Sequence, residues 1–317
     1  MLRVRTAGPL GYCFGVSQAI EKAVKFTESQ GQLYSLGTLA HNEVVVEYLR
    51  QHKVTPIAME DLEQGMKVAI TAHGAPPDIY QQVLALNEST MAGKRIQWSK
   101  HTALLDCTCP IVRKAQTVVS EKMRGFDILI FGDPDHQEVI GLNGWAKGAK
   151  FVGNFDDLFT PDQDYKQLGL GSKIGIISQT TKIPSMYSDF VATVVNRFLG
   201  NFTELRVFNT ICPIVSARVN ETRKLSQEVD MMFVVGSQES ANTKNLADVA
   251  RPGVGSQFVY IVQDVDQIGE ALGDWFVENE MAFPRVGVTA GTSTPIEVVE
   301  EIVGKLKELL YERENSD

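Results

Sequence analysis

The sequence predicts an α/β fold built from three similar units, and three observations favour it. Short runs rich in Val, Ile and Phe alternate with amphipathic helical stretches, as in parallel sheets connected by helices. The chain has 317 residues, of which 44% are apolar and 22% are charged, so it can bury a substantial core. A cysteine motif recurs three times at intervals near 100 residues, and three units fit the length better than two domains of about 150 residues.

Five short runs are the clearest predicted strands, and each is bounded by glycine or polar residues. They are residues 67–71, 127–131, 173–177, 231–235 and 285–289. Two helices stand out. Residues 16–27 carry apolar side chains at three- and four-residue spacing, and residues 295–310 open with a proline that suits the first turn of a helix. The polar stretch 156–171 is predicted to be a surface loop.

The charge balance excludes some classes of partner. Thirty basic residues stand against 39 acidic ones, which gives a net charge of −9. This excess argues against a broad surface for nucleic acid or an anionic membrane, so we expect neither partner. No apolar run has the length of a membrane span, and the alternating Arg3-Val4-Arg5 stretch is unlike a signal peptide. We therefore expect a cytoplasmic protein, and its four cysteines are too few for a disulfide scaffold.

Three of the four cysteines lie in related contexts, each between a β-like run and a helical stretch. Cys13 lies in Gly-Tyr-Cys-Phe-Gly, Cys109 in Asp-Cys-Thr-Cys-Pro-Ile-Val and Cys212 in Asn-Thr-Ile-Cys-Pro-Ile-Val. The shared proline places the last two sulfurs near a helix N-terminus, where the helix dipole favours a thiolate. The intervals of 96 and 103 residues predict units at 1–102, 103–203 and 204–317.

Two polar loops follow each cysteine. The first comes 27 to 30 residues later and carries, in the three units, His41, His136, and Ser240 with Asn242. The second ends a later strand and carries His73, Thr180 and Ser293. Ligands bind at the carboxyl ends of parallel strands. Three units packed with those ends together would gather three thiolates and a ring of His, Thr, Ser and Asn side chains in one cavity.

Three thiolates from separate units suit either zinc or a cubane iron–sulfur cluster with one iron left without a protein ligand. Structural zinc sites draw close Cys-x₂₋₄-Cys pairs from one or two loops, and the sequence has none. Soft thiolate ligands favour the cluster. Cys107 has no counterpart in the other units, and we interpret it as an ordinary buried cysteine.

The polar side chains suit a phosphate or diphosphate group. His41 and His73, with Ser240, Asn242 and Ser293, supply directional donors without a cluster of Lys and Arg. Glu138 follows His136 by two residues. It is either a general acid whose pKa is raised by burial or a solvated glutamate stabilised by a helix N-terminus, and the residue alone does not decide between them.

An ordered series of motifs covers essentially the whole chain. They are Gly-Tyr-Cys-Phe-Gly-Val at 11–16, Leu-Ala-His-Asn at 39–42, Ala-His-Gly at 72–74, Thr-Cys-Pro at 108–110, His-Gln-Glu-Val at 136–139, Gln-Thr-Thr at 179–181, Thr-Ile-Cys at 210–212, Ser-Ala-Asn at 240–242 and Ala-Gly-Thr-Ser at 290–293. With these motifs the chain resembles the 4-hydroxy-3-methylbut-2-enyl diphosphate reductases, the iron–sulfur enzymes that end the non-mevalonate route to isoprenoids.

The resemblance implies a trefoil of three α/β units around a central cavity, with a [4Fe–4S] cluster held by Cys13, Cys109 and Cys212. It implies that the substrate diphosphate is bound by His41, His73, Ser240, Asn242 and Ser293, with His136 nearby. Thr180 would orient the substrate hydroxyl, and Glu138 would deliver the proton with which it leaves as water. Two electrons from ferredoxin or flavodoxin would then yield isopentenyl or dimethylallyl diphosphate.

The sequence departs from the family pattern at several of these positions. Gln137 replaces a proline between His136 and Glu138, Ala241 replaces a serine, and Val215 replaces a threonine after the third cysteine. Two alternatives therefore stand beside the reductase. One is an iron–sulfur enzyme of the same architecture that acts on a related allylic or phosphorylated alcohol. The other is a cluster-binding sensor without turnover, which would require neither Glu138 nor Thr180.

Overall fold

Three four-stranded parallel sheets, each connected by helices, form the α/β fold and confirm the predicted fold class. The computed structural model describes residues 3–86, 103–158, 165–279 and 283–315. Its strands are β1 Val4–Thr6, β2 Leu33–Leu36, β3 Val54–Ile57, β4 Val68–Ile70, β5 Leu104–Asp106, β6 Asp127–Phe131, β7 Phe151–Gly153, β8 Lys173–Ser178, β9 Glu204–Val207, β10 Met231–Val235, β11 Val259–Val262 and β12 Val286–Ala290. Its α-helices are α1 Phe14–Gln30, α2 Glu43–Gln51, α3 Pro77–Ala85, α4 Pro110–Thr117, α5 Gln137–Trp145, α6 Phe155–Leu158, α7 Pro184–Phe198, α8 Pro213–Ser226, α9 Ala241–Val254, α10 Ile268–Glu278 and α11 Ile296–Glu314.

The five predicted strands correspond to β4, β6, β8, β10 and β12, and β6 and β10 have the predicted bounds. Their sequences are continuous apolar runs because parallel strands are covered on both faces. All five residues of β10 are buried. The two predicted helices are α1 and α11, each a few residues longer than predicted. The predicted loop 156–171 begins within the short helix α6, and its residues 159–164 lie outside the described part of the chain.

The three sheets share one strand order. They run β3-β2-β4-β5, β7-β6-β8-β9 and, in the sheet that joins the chain termini, β11-β10-β12-β1. In each sheet one edge strand comes from across a predicted unit boundary. β5 follows the boundary at 102 yet pairs with β4, β9 follows the boundary at 203 yet pairs with β8, and β1 pairs with β12. The boundaries at 102 and 203 remain a prediction about the sequence repeat, whereas each sheet ends one strand later.

The chain divides into two compact units. One contains Met1–Phe14, Ala40–Val46 and Pro213–Asp317, and its core packs β1, β10 and β12 against α10 and α11. The other contains Gly15–Leu39 and Glu47–Cys212 and holds the other two sheets, each with a hydrophobic core of its own. Within the described ranges, no helix is both long enough and apolar enough to cross a membrane.

Candidate active site

The three predicted cysteine ligands occupy equivalent places in the fold. Each follows an edge strand that comes from across a predicted unit boundary, namely β1, β5 or β9. Each also directly precedes a helix, which is α1 for Cys13, α4 for Cys109 and α8 for Cys212. None of the three forms a disulfide, and all three are partly exposed. Sulfurs at helix N-termini are placed where the helix dipole favours the thiolate.

The same main-chain hydrogen bond occurs at each cysteine. It joins the cysteine N–H to the loop that carries Ser293, His73 or Thr180, which follows the strand next to the edge strand before that cysteine. The N–H of Cys13 donates to the carbonyl of Thr292 at 3.0 Å, that of Cys109 to Ala72 at 3.0 Å, and that of Cys212 to Thr180 at 2.9 Å. These three acceptors are therefore equivalent residues. In consequence Thr181, and not Thr180, is the counterpart of His73 and Ser293, one residue later than the matching of loops in the sequence suggests.

The donor set fits a cluster held by thiolates. Cys13 belongs to one compact unit and the other two cysteines belong to the other, and no three His, Cys, Asp or Glu side chains among the described residues are grouped closely enough to hold a metal ion. Cys107 does not belong to this set. It is 1% exposed, its thiol donates to the carbonyl of Ala19 at 3.8 Å, and burial raises its pKa to about 12. It therefore stays protonated at neutral pH, as expected for an ordinary buried cysteine.

Glu138 and Thr180 form a buried polar contact in the unit that contains residues 47–212. Glu138 lies in the first turn of α5 and is 1% exposed. Its Oε1 accepts the N–H of Thr180 at 2.7 Å, and its Oε2 accepts the Thr180 hydroxyl at 2.8 Å. Burial raises the pKa of Glu138 to about 7, although both hydrogen bonds from Thr180 act in the opposite direction. The alternative of a solvated glutamate is excluded, and the carboxyl can hold a proton near neutral pH.

Two histidines lie beside this pair. His136 caps α5, and its Nδ1 accepts the N–H of Glu138 at 3.2 Å, so the proton of the neutral ring resides on Nε2. The ring of His73 meets the His136 ring edge-on, with centroids 5.3 Å apart, and its Nδ1 is 3.4 Å from the Thr71 hydroxyl. The structure thus brings together four predicted site residues of this unit.

The remaining residues predicted to bind substrate lie in the compact unit that contains residues 1–14, 40–46 and 213–317. Ser240 caps α9, Asn242 lies in its first turn, and Ser293 follows the adjacent strand β12. Both amide atoms of Asn242 and the hydroxyls of Ser293 and Thr243 are buried and have no hydrogen-bond partner among the described residues. A buried polar group without a partner costs about 1–3 kcal/mol, so these groups are suited to a polar ligand at a helix N-terminus.

Thr243 was not singled out in the sequence because it lies in a helical stretch without a motif of its own. Its hydroxyl oxygen would be only 2.3 Å from a side-chain carbon at Gly291 and 2.6 Å from one at Gly236. The two glycines therefore make room for this side chain beneath the loop that carries Ser293. His41 lies in the same unit, and burial lowers its pKa although the charge of Glu239 opposes the shift.

The side chain of Gln137 lies away from the hydrogen bonds between Thr180 and the Glu138 carboxyl. Its amide lies against Gly37, which has φ +79°, and it lines a pocket of about 550 Å³ at the carboxyl ends of β2, β3 and β4. Val215 is buried in α8, and Ala241 is the first residue of α9. The departure at Gln137 therefore leaves the acid intact, whereas the departure at Ala241 removes a hydroxyl between Ser240 and Asn242.

The comparison with family models agrees with this architecture. The model described as "LytB protein" matches residues 4–307, which is nearly the full chain. The chain belongs to the LytB protein family. This LytB-family chain is 32% identical over 314 residues to 4-hydroxy-3-methylbut-2-enyl diphosphate reductase from Alkaliphilus oremlandii, an alignment that covers 97% of the chain and 100% of the relative. It is 33% identical to the enzyme of the same name from Geobacter sp. (strain M21), covering 96% of the chain and 97% of the relative.

Solved structures show the LytB-family fold over the same length. The structure of (E)-4-hydroxy-3-methyl-but-2-enyl diphosphate reductase, described as the terminal enzyme of the non-mevalonate pathway, is 27% identical. It matches with a TM-score of 0.61 and covers 96% of this chain and 99% of that one. A reductase structure from Plasmodium falciparum, 23% identical, matches with a TM-score of 0.76 over 95% of this chain and 86% of that one, which supports the fold alone.

Proposed function

We propose that this protein is a 4-hydroxy-3-methylbut-2-enyl diphosphate reductase, as its curated relatives are named. The observation that carries the proposal is the carboxyl of Glu138, which is fully buried, has a pKa near 7 and receives two hydrogen bonds from Thr180. A protein that only binds a cluster requires no such group. An enzyme that expels a hydroxyl as water requires an acid that still carries its proton at neutral pH.

Cys13, Cys109 and Cys212 are the residues that we assign to hold a [4Fe–4S] cluster. Bound there, the cluster would supply electrons one at a time and a Lewis-acidic iron without a protein ligand. The support lies in three cysteines outside any disulfide, at equivalent strand-to-helix junctions and each with the same main-chain hydrogen bond. The electrons would come from ferredoxin or flavodoxin.

The allylic diphosphate would be bound by hydrogen-bond donors at fixed positions and not by a basic surface. We assign six residues to the diphosphate, namely His41, His73, His136, Ser240, Asn242 and Ser293. The buried, unpaired Nδ2 of Asn242 and hydroxyl of Ser293 support this assignment because each can donate a hydrogen bond to a charged oxygen. The net charge of −9 leaves local donors as the means of holding an anion.

Glu138 and Thr180 would act on the substrate hydroxyl. The Thr180 hydroxyl, which donates to Glu138, would orient that group, and the carboxylic acid of Glu138 would supply the proton with which it leaves as water. Cleavage of the C–O bond takes up two electrons, and a second proton adds to one end or the other of the allylic unit. The sum is one substrate, two electrons and two protons giving one water and either isopentenyl or dimethylallyl diphosphate.

The test is an anaerobic assay of the purified protein with reconstituted cluster, reduced methyl viologen and 4-hydroxy-3-methylbut-2-enyl diphosphate. We expect both isoprenoid diphosphates, and we expect Glu138→Gln to bind substrate but lose most of its turnover. Cys212→Ser should lose the normal four-iron spectrum. A cluster-loaded protein that neither consumes this substrate nor changes its EPR signal when the substrate is added would reject the proposal.

Ala241 and Val215 favour one second candidate, an enzyme of this architecture that acts on a related allylic or phosphorylated alcohol. Ala241 removes a donor between two residues assigned to the diphosphate. The same assay, supplied with the corresponding allylic monophosphate, separates the candidates. A kcat/KM higher for the monophosphate than for the diphosphate would favour the second.

A further inference from the structure

The loops that carry Glu138 and Thr180 are held together by more than their mutual contact. Both loops follow neighbouring strands, β6 and β8. The N–H of Gln179 donates to the carbonyl of Phe131 at 2.8 Å, and the Gln179 side-chain oxygen accepts the N–H of Asp133 at 3.0 Å. Gln179 is fully buried, so these bonds form an interior connection between the two loops.

An ion pair closes the same connection at its outer side. The ammonium of Lys182 lies 2.5 Å from Oδ1 of Asp133, and the Lys182 side chain is only 8% exposed. Asp133 also accepts the side-chain N–H of Asn154 at 3.3 Å. Lys182 lowers the pKa of Asp133 despite the burial that opposes this shift. A nearly buried lysine is tolerated only with a charged partner, so the pair fixes both loops.

The equivalent positions of the other sheets hold no such pair. The N–H of Lys182 donates to the carbonyl of Gln179 three residues earlier, and the same turn occurs at Thr294 and at Gly74. Thr294 donates to the carbonyl of Val235, which is a neutral contact, and Gly74 has no side chain. The ion pair therefore belongs to the one sheet whose loops also carry the Glu138–Thr180 contact.

We propose that Lys182 and Asp133 are positioning residues for the proton donor: their ion pair holds the Thr180 loop against the turn from His136 to Glu138, so that Thr180 keeps both hydrogen bonds to the Glu138 carboxyl. This inference rests on the proposed function only for its catalytic consequence. Neither residue is among those assigned to hold the substrate or the cluster. Among neighbouring titratable groups, His136 lies near Asp133, and the His73 ring lies edge-on against the His136 ring.

The test uses three variants and two measurements. Lys182→Met removes the charge, Lys182→Arg retains it, and Lys173→Met removes a lysine from the exposed Lys173–Glu204 pair of the same sheet as a matched control. The first measurement is a ¹³C NMR titration of the Glu138 carboxyl in the cluster-free protein, assigned by its absence in Glu138→Gln. The second is kcat and KM of the cluster-loaded enzyme.

We expect Lys182→Met to raise the pKa of Glu138 by about 0.5 to 1, because loosened bonds from Thr180 no longer favour the carboxylate. We also expect kcat to fall roughly tenfold with KM little changed, because a misplaced donor slows the chemical step and not binding. Lys182→Arg should restore most of both values, and Lys173→Met should change neither.

Two outcomes overturn the inference. One is a Glu138 pKa that stays at the wild-type value in a folded Lys182→Met protein, even if that protein is less stable, since the pair would then be merely structural. The other is an equal pKa change in Lys173→Met. If the pKa of Glu138 rises as expected in Lys182→Met but neither the wild type nor any variant reduces the diphosphate substrate, the positioning role stands and the proposed function fails. Where Lys182→Met does not fold, Asp133→Asn is subject to the same two criteria.

Discussion

Replacing Glu138 with glutamine should remove most of the turnover and yet make the protein more stable at alkaline pH. The carboxyl has a pKa of about 7 in the folded state against an ordinary value of 4.5. A raised pKa means that the folded state holds the proton more tightly, so the stabilisation is complete below pH 4.5 and is lost as the pH rises through 7. Glutamine stays neutral and can still meet the N–H and hydroxyl of Thr180.

The magnitude follows from the two pKa values. Proton linkage gives a wild-type loss of about 2 kcal/mol between pH 5.5 and 8.5, approaching about 3 kcal/mol over the full range, at 1.36 kcal/mol for each pKa unit. The assay is urea unfolding of the cluster-free wild type and Glu138→Gln at several pH values. The difference between them should move by about 2 kcal/mol in favour of the variant as pH rises.

Glu301→Gln is the matched control, since it makes the same change on an exposed face of α11. Its difference from wild type should stay nearly constant with pH. A difference between Glu138→Gln and wild type that is equally constant would refute the reasoning, because it would mean that Glu138 ionises in the folded protein as easily as in the unfolded chain.

Three further changes test other parts of the site. Ser293→Ala should raise KM for the diphosphate substrate about tenfold or more, since a hydrogen bond to a charged group is worth about 1.5–3 kcal/mol, and an unchanged KM would remove Ser293 from the diphosphate site. Ala241→Ser should lower KM, because it adds a hydroxyl between Ser240 and Asn242, and a higher KM would show that a hydroxyl at position 241 does not help to bind the diphosphate. Cys107→Ala should leave iron content and the EPR spectrum unaltered, because the thiol of Cys107 is buried and protonated, and loss of iron would make it a ligand.

Much of the fold could be predicted from the sequence because buried parallel strands have nearly continuous apolar sequences. The runs at β6 and β10 have the predicted bounds. The edge strands that come from across a predicted unit boundary could not be predicted in the same way. β1, β5 and β9 are three or four residues long, and their partners are set by long-range pairing that local pattern does not encode.

In the candidate site, too, the local sequence predicts some features, whereas others depend on long-range contacts. Motif and spacing were enough to select Glu138 and Thr180, yet only burial and two hydrogen bonds distinguish a proton donor from a solvated glutamate. Thr181 as the structural counterpart of His73 emerges only from the main-chain bonds to the cysteines. The pairing of Lys182 with Asp133 depends on how two loops meet across neighbouring strands, which no local motif reports.

The most direct test of the central claim is the number of electrons consumed for each product molecule. Cluster-loaded protein would be titrated anaerobically with reduced methyl viologen and 4-hydroxy-3-methylbut-2-enyl diphosphate, and isopentenyl and dimethylallyl diphosphate would be measured together. A reductive loss of the hydroxyl group predicts two electrons for each molecule formed. Oxidation of the viologen without these products, or loss of the substrate hydroxyl without consumption of electrons, would contradict it.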